Sequence, residues 1–474
     1  MEIYSEMKKQ AVIESVRGFL KSFDKFGLNL FFITNSFLSM RFISTLNQSP
    51  EVGLEEAIFR GLPPDNGLYM PTEIPVLPLS FWETIEQKSL VDIAFEIAFA
   101  LLKEDIEADT LRKIIEKAID FEAPVIPLDD FQGVLELFHG PSMAFKDFGA
   151  RFMAGLMSYF LAKNDQQIEI LVATSGDTGG AVAQGFFRTP HVRVTILYPK
   201  GKVSDIQEMQ LTTLGENIRA LEVDGTFDDC QALVKQAFLD QSLRNKLQLA
   251  SANSINIARL IPQAFYFAAA YAQAKKNGLP VVFSVPSGNF GNLSAGVLAY
   301  KMGMPVLQFL AATNANKVIP DYLKTGDYQP ISPSVATISN AMDVGNPSNF
   351  PRLKALFGSN FDDLRSKVTG FSYTDAETKE GIRAVYQKYA YLMCPHTAIG
   401  FLAMEDYRKT QETPFYGIVL STAHYAKFLP EMEPVLGTKL PIPERLENLL
   451  VKQKVATPMP VDFAAFKQYL LESE

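Results

Sequence analysis

Lys146 stands between Phe145 and Phe148 in the segment LFHGPSMAFKDFG, residues 137–149, in a turn that follows the short apolar run 134–137. An amine flanked by aromatic rings is partly desolvated, which lowers a lysine's pKa and lets it attack an aldehyde to form a Schiff base. Alone, this pattern is more often a surface lysine snorkelling over apolar neighbours. Two glycine-rich turns change its weight. Ser287-Gly288-Asn289-Phe290-Gly291-Asn292 follows an apolar run and precedes a helical pattern. That order makes a generic anion cradle, because glycine permits close backbone approach and a helix start offers free N–H groups. Thr174-Ser175-Gly176-Asp177-Thr178-Gly179-Gly180 has the same placement, although Asp177 would repel an anion unless it is paired or turned away. Neither turn is followed by GK[ST], which excludes a Walker loop.

Three smaller features accompany these. Asn253 and Asn256 precede a helical pattern and suit an N-cap. Arg259, one turn later, fits an anionic ligand or a surface ion pair equally well. Thr422 ends the apolar run 418–420, where ligands of parallel sheets gather, with His424 and Lys427 just behind it.

The elements that must position these groups alternate. Apolar, β-branched runs recur at 134–137, 168–173, 192–198, 218–223, 280–285, 306–312 and 415–420. Helical patterns separate them: Ser204 with Gln207 and Thr226 with Asp229 mark helix starts, and 256–274 repeats apolar residues at helical spacing. Single helices between strands imply parallel βαβ units buried on both faces. The predicted class is therefore α/β. Residues 55–60 and 90–103 read as helices of an N-terminal domain spanning 40–130. The α/β region spans 131–430, with a loop-rich insertion at about 320–390, least patterned from Asp321 to Gly370. Residues 431–474 form a C-terminal segment, and 1–39 an extension ahead of the patterned chain.

Composition bounds the partners. The chain has 474 residues, 47% hydrophobic and 20% charged, so a large core is available. A net charge of −9 without a basic tract argues against nucleic acid. The apolar stretch 28–40 is too short and too interrupted to span a membrane. Two distant cysteines, Cys230 and Cys394, give neither a disulfide framework nor a zinc pair, and a reducing cytoplasm is expected.

Together with MRFISTLNQ (residues 40–48) and RGLPPDNGLYMP (residues 60–71), these segments resemble the threonine synthase family in order and spacing. Those are pyridoxal-phosphate enzymes of fold type II, the fold of the tryptophan synthase β-subunit. The likeness covers the chain from Met40 onward. It implies a two-lobed α/β core in which Lys146 carries pyridoxal 5′-phosphate and moves protons. Gly288, Asn289, Phe290, Gly291 and Asn292 would hold the cofactor's phosphate, Thr422 would face its ring nitrogen, and Asn253 or Asn256 its ring hydroxyl. Thr174, Ser175, Asp177 and Thr178 would receive the substrate's carboxylate, with Arg259, Lys427 and His424 as candidates for its phosphate. The implied reaction converts O-phospho-L-homoserine and water into L-threonine and phosphate, a lyase reaction of amino-acid biosynthesis, in a monomer. The rivals are an O-phosphohomoserine phospho-lyase of the same family and a non-catalytic cofactor-binding protein. A dehydratase fits less well, because dehydratases do not resemble the RFISTLNQ segment.

Overall fold

The computed structural model describes residues 40–164 and 167–472; the extension expected over 1–39 lies outside them. In chain order the strands are β1 (Phe42–Ser44), β2 (Tyr69–Pro71), β3 (Val125–Asp129), β4 (Gln132–Glu136), β5 (Ile168–Ala173), β6 (Val192–Pro199), β7 (Ile218–Val223), β8 (Leu249–Ser251), β9 (Val281–Pro286), β10 (Gln308–Thr313), β11 (Val368–Ser372), β12 (Tyr416–Ser421) and β13 (Thr457–Met459). A small antiparallel pair, β1 with β2, comes first among the described strands. One sheet runs β11-β10-β9-β12-β4-β3, parallel except for the edge strand β3. The other runs β13-β7-β6-β5-β8 and is parallel throughout.

Strands β5, β9, β10 and β12 are buried at every position. This is why they read as unbroken apolar runs instead of alternating ones: helices cover both faces of a parallel sheet. Val134, Val282, Leu310, Ile399, Met404 and Val419 pack one lobe's core. Leu171, Leu197, Leu221, Leu233 and Phe466 pack the other's. Every motif singled out above follows the C-terminal end of a strand: Lys146 after β4, Thr174–Gly180 after β5, Asn253 after β8, Ser287–Asn292 after β9 and Thr422 after β12.

Both helix starts read from the sequence form, Ser204 with Gln207 and Thr226 with Asp229, each as a capping box. Three expectations need correction. Lys146 opens the helix Lys146–Asn164 and does not sit in the preceding turn. The helical pattern over 256–274 is broken into Ile257–Leu260 and Gln263–Lys275 by Pro262, which has no N–H to continue the ladder. The insertion is also more regular than expected, with helices Phe350–Leu356 and Phe361–Lys367 leading into strand β11. The glycine of that strand hides it from pattern reading. A Cβ on Gly370 would lie 2.6 Å from the Cα of Pro320, so packing requires glycine there.

Candidate active site

The lysine loop is stitched to the end of β12. Phe145 N–H donates to the Thr422 carbonyl (2.9 Å), His424 N–H donates to the Met143 carbonyl (3.1 Å), and Ala144 bridges Ala423. Asp147, fully buried, accepts the Ser142 N–H at 2.9 Å and fixes the turn from the other side. Burial raises the Asp147 carboxyl to about 6. Lys146 and Thr422 are thereby neighbours, though far apart in sequence. Lys146 keeps part of its surface open while lying deep in the protein, and its Nζ has no hydrogen-bond partner among the described residues. Burial lowers its pKa to about 8, Asp177 opposes that shift, and the like charges of Lys427 and Arg259 reinforce it.

The sign of that shift gives a test. The neutral amine is the nucleophile, so aldehyde capture by the apoprotein should accelerate as pH rises and level off above about 8. An ordinary lysine would keep accelerating to about 10.4. Stopped-flow absorbance of cofactor uptake against pH separates the two.

The cradle after β9 is shaped by its neighbours. Phe290 is the N-cap of helix Gly291–Lys301 and takes a left-handed conformation, φ 62°. Among the described residues, no protein acceptor takes the backbone N–H groups from Gly288 to Leu293. Asn292 Oδ1 accepts the Tyr266 hydroxyl at 2.6 Å, and burial holds that phenol well above its ordinary pKa, so it stays a donor. The amide is therefore oriented, and its Nδ2 is left buried without a partner. An orphan donor beside a row of free N–H groups at a helix start fits an anionic group such as a cofactor phosphate. Tyr266 also packs edge-on against Phe148, two residues from Lys146, at 5.0 Å between ring centroids.

The loop after β5 is braced internally. The Thr174 hydroxyl, expected to contact substrate, accepts the N–H groups of Gly176 (3.0 Å) and Gly179 (2.9 Å) and so shapes the turn, with its own O–H left to donate. Gly176 has φ 132°, and a Cβ there would lie 2.5 Å from Cδ of Gln207, so only glycine fits. Ser175 is exposed and Thr178 half-buried, which leaves them facing outward. Asp177 does not face an anion. Its Oδ1 pairs with Lys427 Nζ at 2.6 Å and accepts Gln207 Nε2 at 3.0 Å. Burial alone would raise that carboxyl, but the charges of Lys427 and Lys146 hold it well below the usual range. Lys427, expected at a substrate phosphate, also donates to the Ser142 carbonyl (3.0 Å), so that with its Asp177 partner it ties the loop after β4 to the loop after β5.

Arg259 is buried and makes no surface ion pair. It donates to the Ala252 carbonyl, and its Nε is left without a partner. Asn256 is committed elsewhere. It caps Ala258 N–H (3.0 Å) and donates to the carbonyls of Ile58 (2.7 Å) and Ser251 (3.4 Å), which occupies the amide that the ring-hydroxyl role expected of it would need. The side chain of Asn253 makes no hydrogen bond among the described residues. His424 Nδ1 accepts the Ala426 N–H, and burial lowers its pKa to about 4. Sequence reasoning missed His396, which is buried and has an unpartnered Nε2. Burial lowers its pKa to about 4, and the charges of Asp177, Lys146 and Lys427 act on it. The only local signal is Cys394-Pro395-His396, a proline at a helix start.

Comparison with known proteins agrees with this geometry. Residues 124–421 match the family model described as pyridoxal-phosphate dependent enzyme, 41–119 that of the threonine synthase N terminus and 397–470 that of the threonine synthase C-terminal region. The threonine synthase of Haemophilus influenzae is 45% identical over 424 residues, covering 89% of this chain and 97% of the relative. The chain belongs to the threonine synthase family. Solved threonine synthases superpose on most of it. That of Escherichia coli is 39% identical with a TM-score of 0.84, covering 92% of this chain and 100% of its own. The pyridoxal-phosphate-bound structure from Brucella melitensis is 33% identical with a TM-score of 0.86, covering 92% and 99%. The family's dependence on pyridoxal phosphate agrees with a partly desolvated, unpartnered lysine amine and an anion cradle whose Asn292 Nδ2 has no partner.

The two loops are expected to respond differently to substitution. A Cβ on Gly288 would lie 2.8 Å from the Cα of Met342, so Gly288→Ala must displace the cradle and weaken cofactor retention. Ser175→Ala should leave the cofactor bound and raise KM or lower kcat. Absorbance after dialysis, set beside steady-state kinetics, reveals whether the loops have been exchanged.

Proposed function

We propose that this protein converts O-phospho-L-homoserine and water into L-threonine and inorganic phosphate. The observation that carries this reading is one partly desolvated lysine accompanied by separate anion-binding features: the Gly288–Asn292 cradle, the Ser175–Thr178 turn, and Arg259, whose Nε has no partner. A substrate with both carboxylate and phosphate, used with a phosphorylated cofactor, needs that many. Bound pyridoxal phosphate supplies the electron sink for carbanionic chemistry.

The chain's own residues supply the rest. Lys146 Nζ takes the proton from Cα and passes it on, then takes one from Cβ as the γ C–O bond breaks and phosphate leaves, and that second proton is delivered to Cγ, which becomes the methyl group. Water adds at Cβ, and Lys146 returns a proton to Cα. A pKa near 8 suits an amine that must both accept and return protons near neutrality. The N–H groups of Ser175 and Thr178 hold the substrate carboxylate, Arg259 takes the leaving phosphate, and Asn253 meets the cofactor's ring hydroxyl. Thr422 offers the cofactor ring a neutral hydroxyl, which leaves a ring nitrogen largely unprotonated where a carboxylate would favour its cation.

The test offers O-phospho-L-homoserine to the holoprotein and measures threonine and phosphate together. Equal release supports the reading; phosphate without threonine would make it a phospho-lyase instead. A monomeric, cytoplasmic protein is proposed with it: both cysteines are free and buried, and no described helix is long and apolar enough to cross a membrane. Sedimentation checks the monomer.

A further inference from the structure

Arg352 is the largest fully buried side chain among the described residues. It lies on the short helix Phe350–Leu356, and none of those residues supplies a carboxylate to pair with it. Its guanidinium instead donates to neutral acceptors. Nη2 reaches the carbonyls of Ile255 (2.6 Å) and Tyr69 (3.1 Å), Nη1 reaches Asn349 Oδ1 (2.7 Å) and the Ser254 carbonyl (3.2 Å), and Nε reaches the Tyr69 carbonyl (3.3 Å). Burial pushes its pKa down to about 9, so it remains a cation at neutral pH. A hydrogen-bonded cation without a counter-charge is costly to bury, and folds seldom keep one without a use.

Its position suggests the use. Asn349, which accepts from Arg352, donates its N–H to the Asn289 carbonyl at 3.1 Å. Its Nδ2 lies 3.3 Å from where a Cβ on Gly291 would stand. Ser348 donates to Asn289 Oδ1 through both its N–H (3.3 Å) and its hydroxyl (3.0 Å). The segment Ser348–Arg352 thus backs the cradle, with the guanidinium one residue behind it.

We propose that Arg352 is the buried counter-charge of the cofactor's 5′-phosphate, acting through Asn349 and the Asn289–Gly291 backbone without touching the phosphate, so that it is held as a dianion. This rests on the reading that Gly288–Asn292 receives that phosphate. Arg352 is then a positioning residue, and the anion it answers is one the protein acquires only with its cofactor.

The experiment measures apoprotein affinity for pyridoxal phosphate and for pyridoxal, whose ratio isolates the phosphate's contribution. Arg352→Met should lower that ratio by at least about tenfold, while Arg352→Lys, which keeps the charge but loses the fork, should hold it within about threefold of wild type. A purely structural role would weaken both ligands alike and leave the ratio unchanged in both variants, overturning the proposal. An equal collapse of the ratio in the Lys and Met variants would overturn it too, since charge would not be the cause. Asn292→Ala separates the two levels of inference. An unchanged ratio there places the phosphate elsewhere, whereas a lowered ratio beside an unaffected Arg352→Met rejects Arg352 alone. Should Arg352→Met not fold, the 31P resonance of wild-type holoprotein decides: it should stay constant between about pH 5 and 8, and a titration near the ordinary second pKa of about 6 would sink the idea.

Discussion

Lys146→Ala should abolish turnover in a protein that still folds. The side chain makes no hydrogen bond among the described residues and contributes chemistry more than packing. Losing its proton transfers alone costs about 10²–10⁴-fold, or about 3–5 kcal/mol of barrier. Losing the covalent link to the cofactor adds to that. Circular dichroism should match wild type, while the absorbance of bound cofactor and the release of threonine should both disappear. Substantial threonine production by the folded variant would remove Lys146 from its assigned role.

Breaking the Lys427–Asp177 pair should have the next largest effect, on stability and on Lys146 together. Both partners are buried, and removing one leaves the other uncompensated, a loss of about 3–5 kcal/mol. Lys427→Met also deletes a like charge that lowers the Lys146 pKa, so the pH midpoint for aldehyde capture should rise above about 8. Asp177→Asn deletes the opposing carboxylate and should move that midpoint down. Denaturant unfolding reads the first effect and cofactor uptake against pH reads the second. Midpoints that move in the same direction in both variants would show that the pair does not tune the lysine.

The parallel strands were legible because burial on both faces writes them as plain apolar runs. β5 and β7 fall on the residues read from sequence, and β9 and β12 are displaced by one. The strands missed are short or interrupted: β8 and β13 have three residues each, β3 contains Pro127, and β11 contains Gly370. Lys146, the two loops and Thr422 were legible as local motifs at strand ends. Legibility ended where a role depended on a distant partner. Asp177 among anion-binding donors looked paradoxical until Lys427 was found beside it. Asn256 looked available until its amide met the Ile58 carbonyl, far away in the chain. Arg352 sat in a stretch read as loop, and its burial follows from packing, for which Asn, Pro and Ser give no local sign.

The order of strands in the larger sheet carries a consequence for how the chain comes to be folded. β12 lies between β4 and β9, pairing with both, yet it begins at Tyr416 while β4 ends at Glu136. During synthesis from the N-terminus, the β3–β4 hairpin and the β9–β10 pair emerge long before the strand that joins them. Each must wait with a bare, apolar edge on offer, Val134-Leu135 on one side and Val281-Val282-Phe283 on the other. Non-local parallel pairing of this kind is slow, and open edges invite association with other chains. A nascent chain stalled short of residue 416 would therefore hold two half-sheets and be the form most in need of a chaperone.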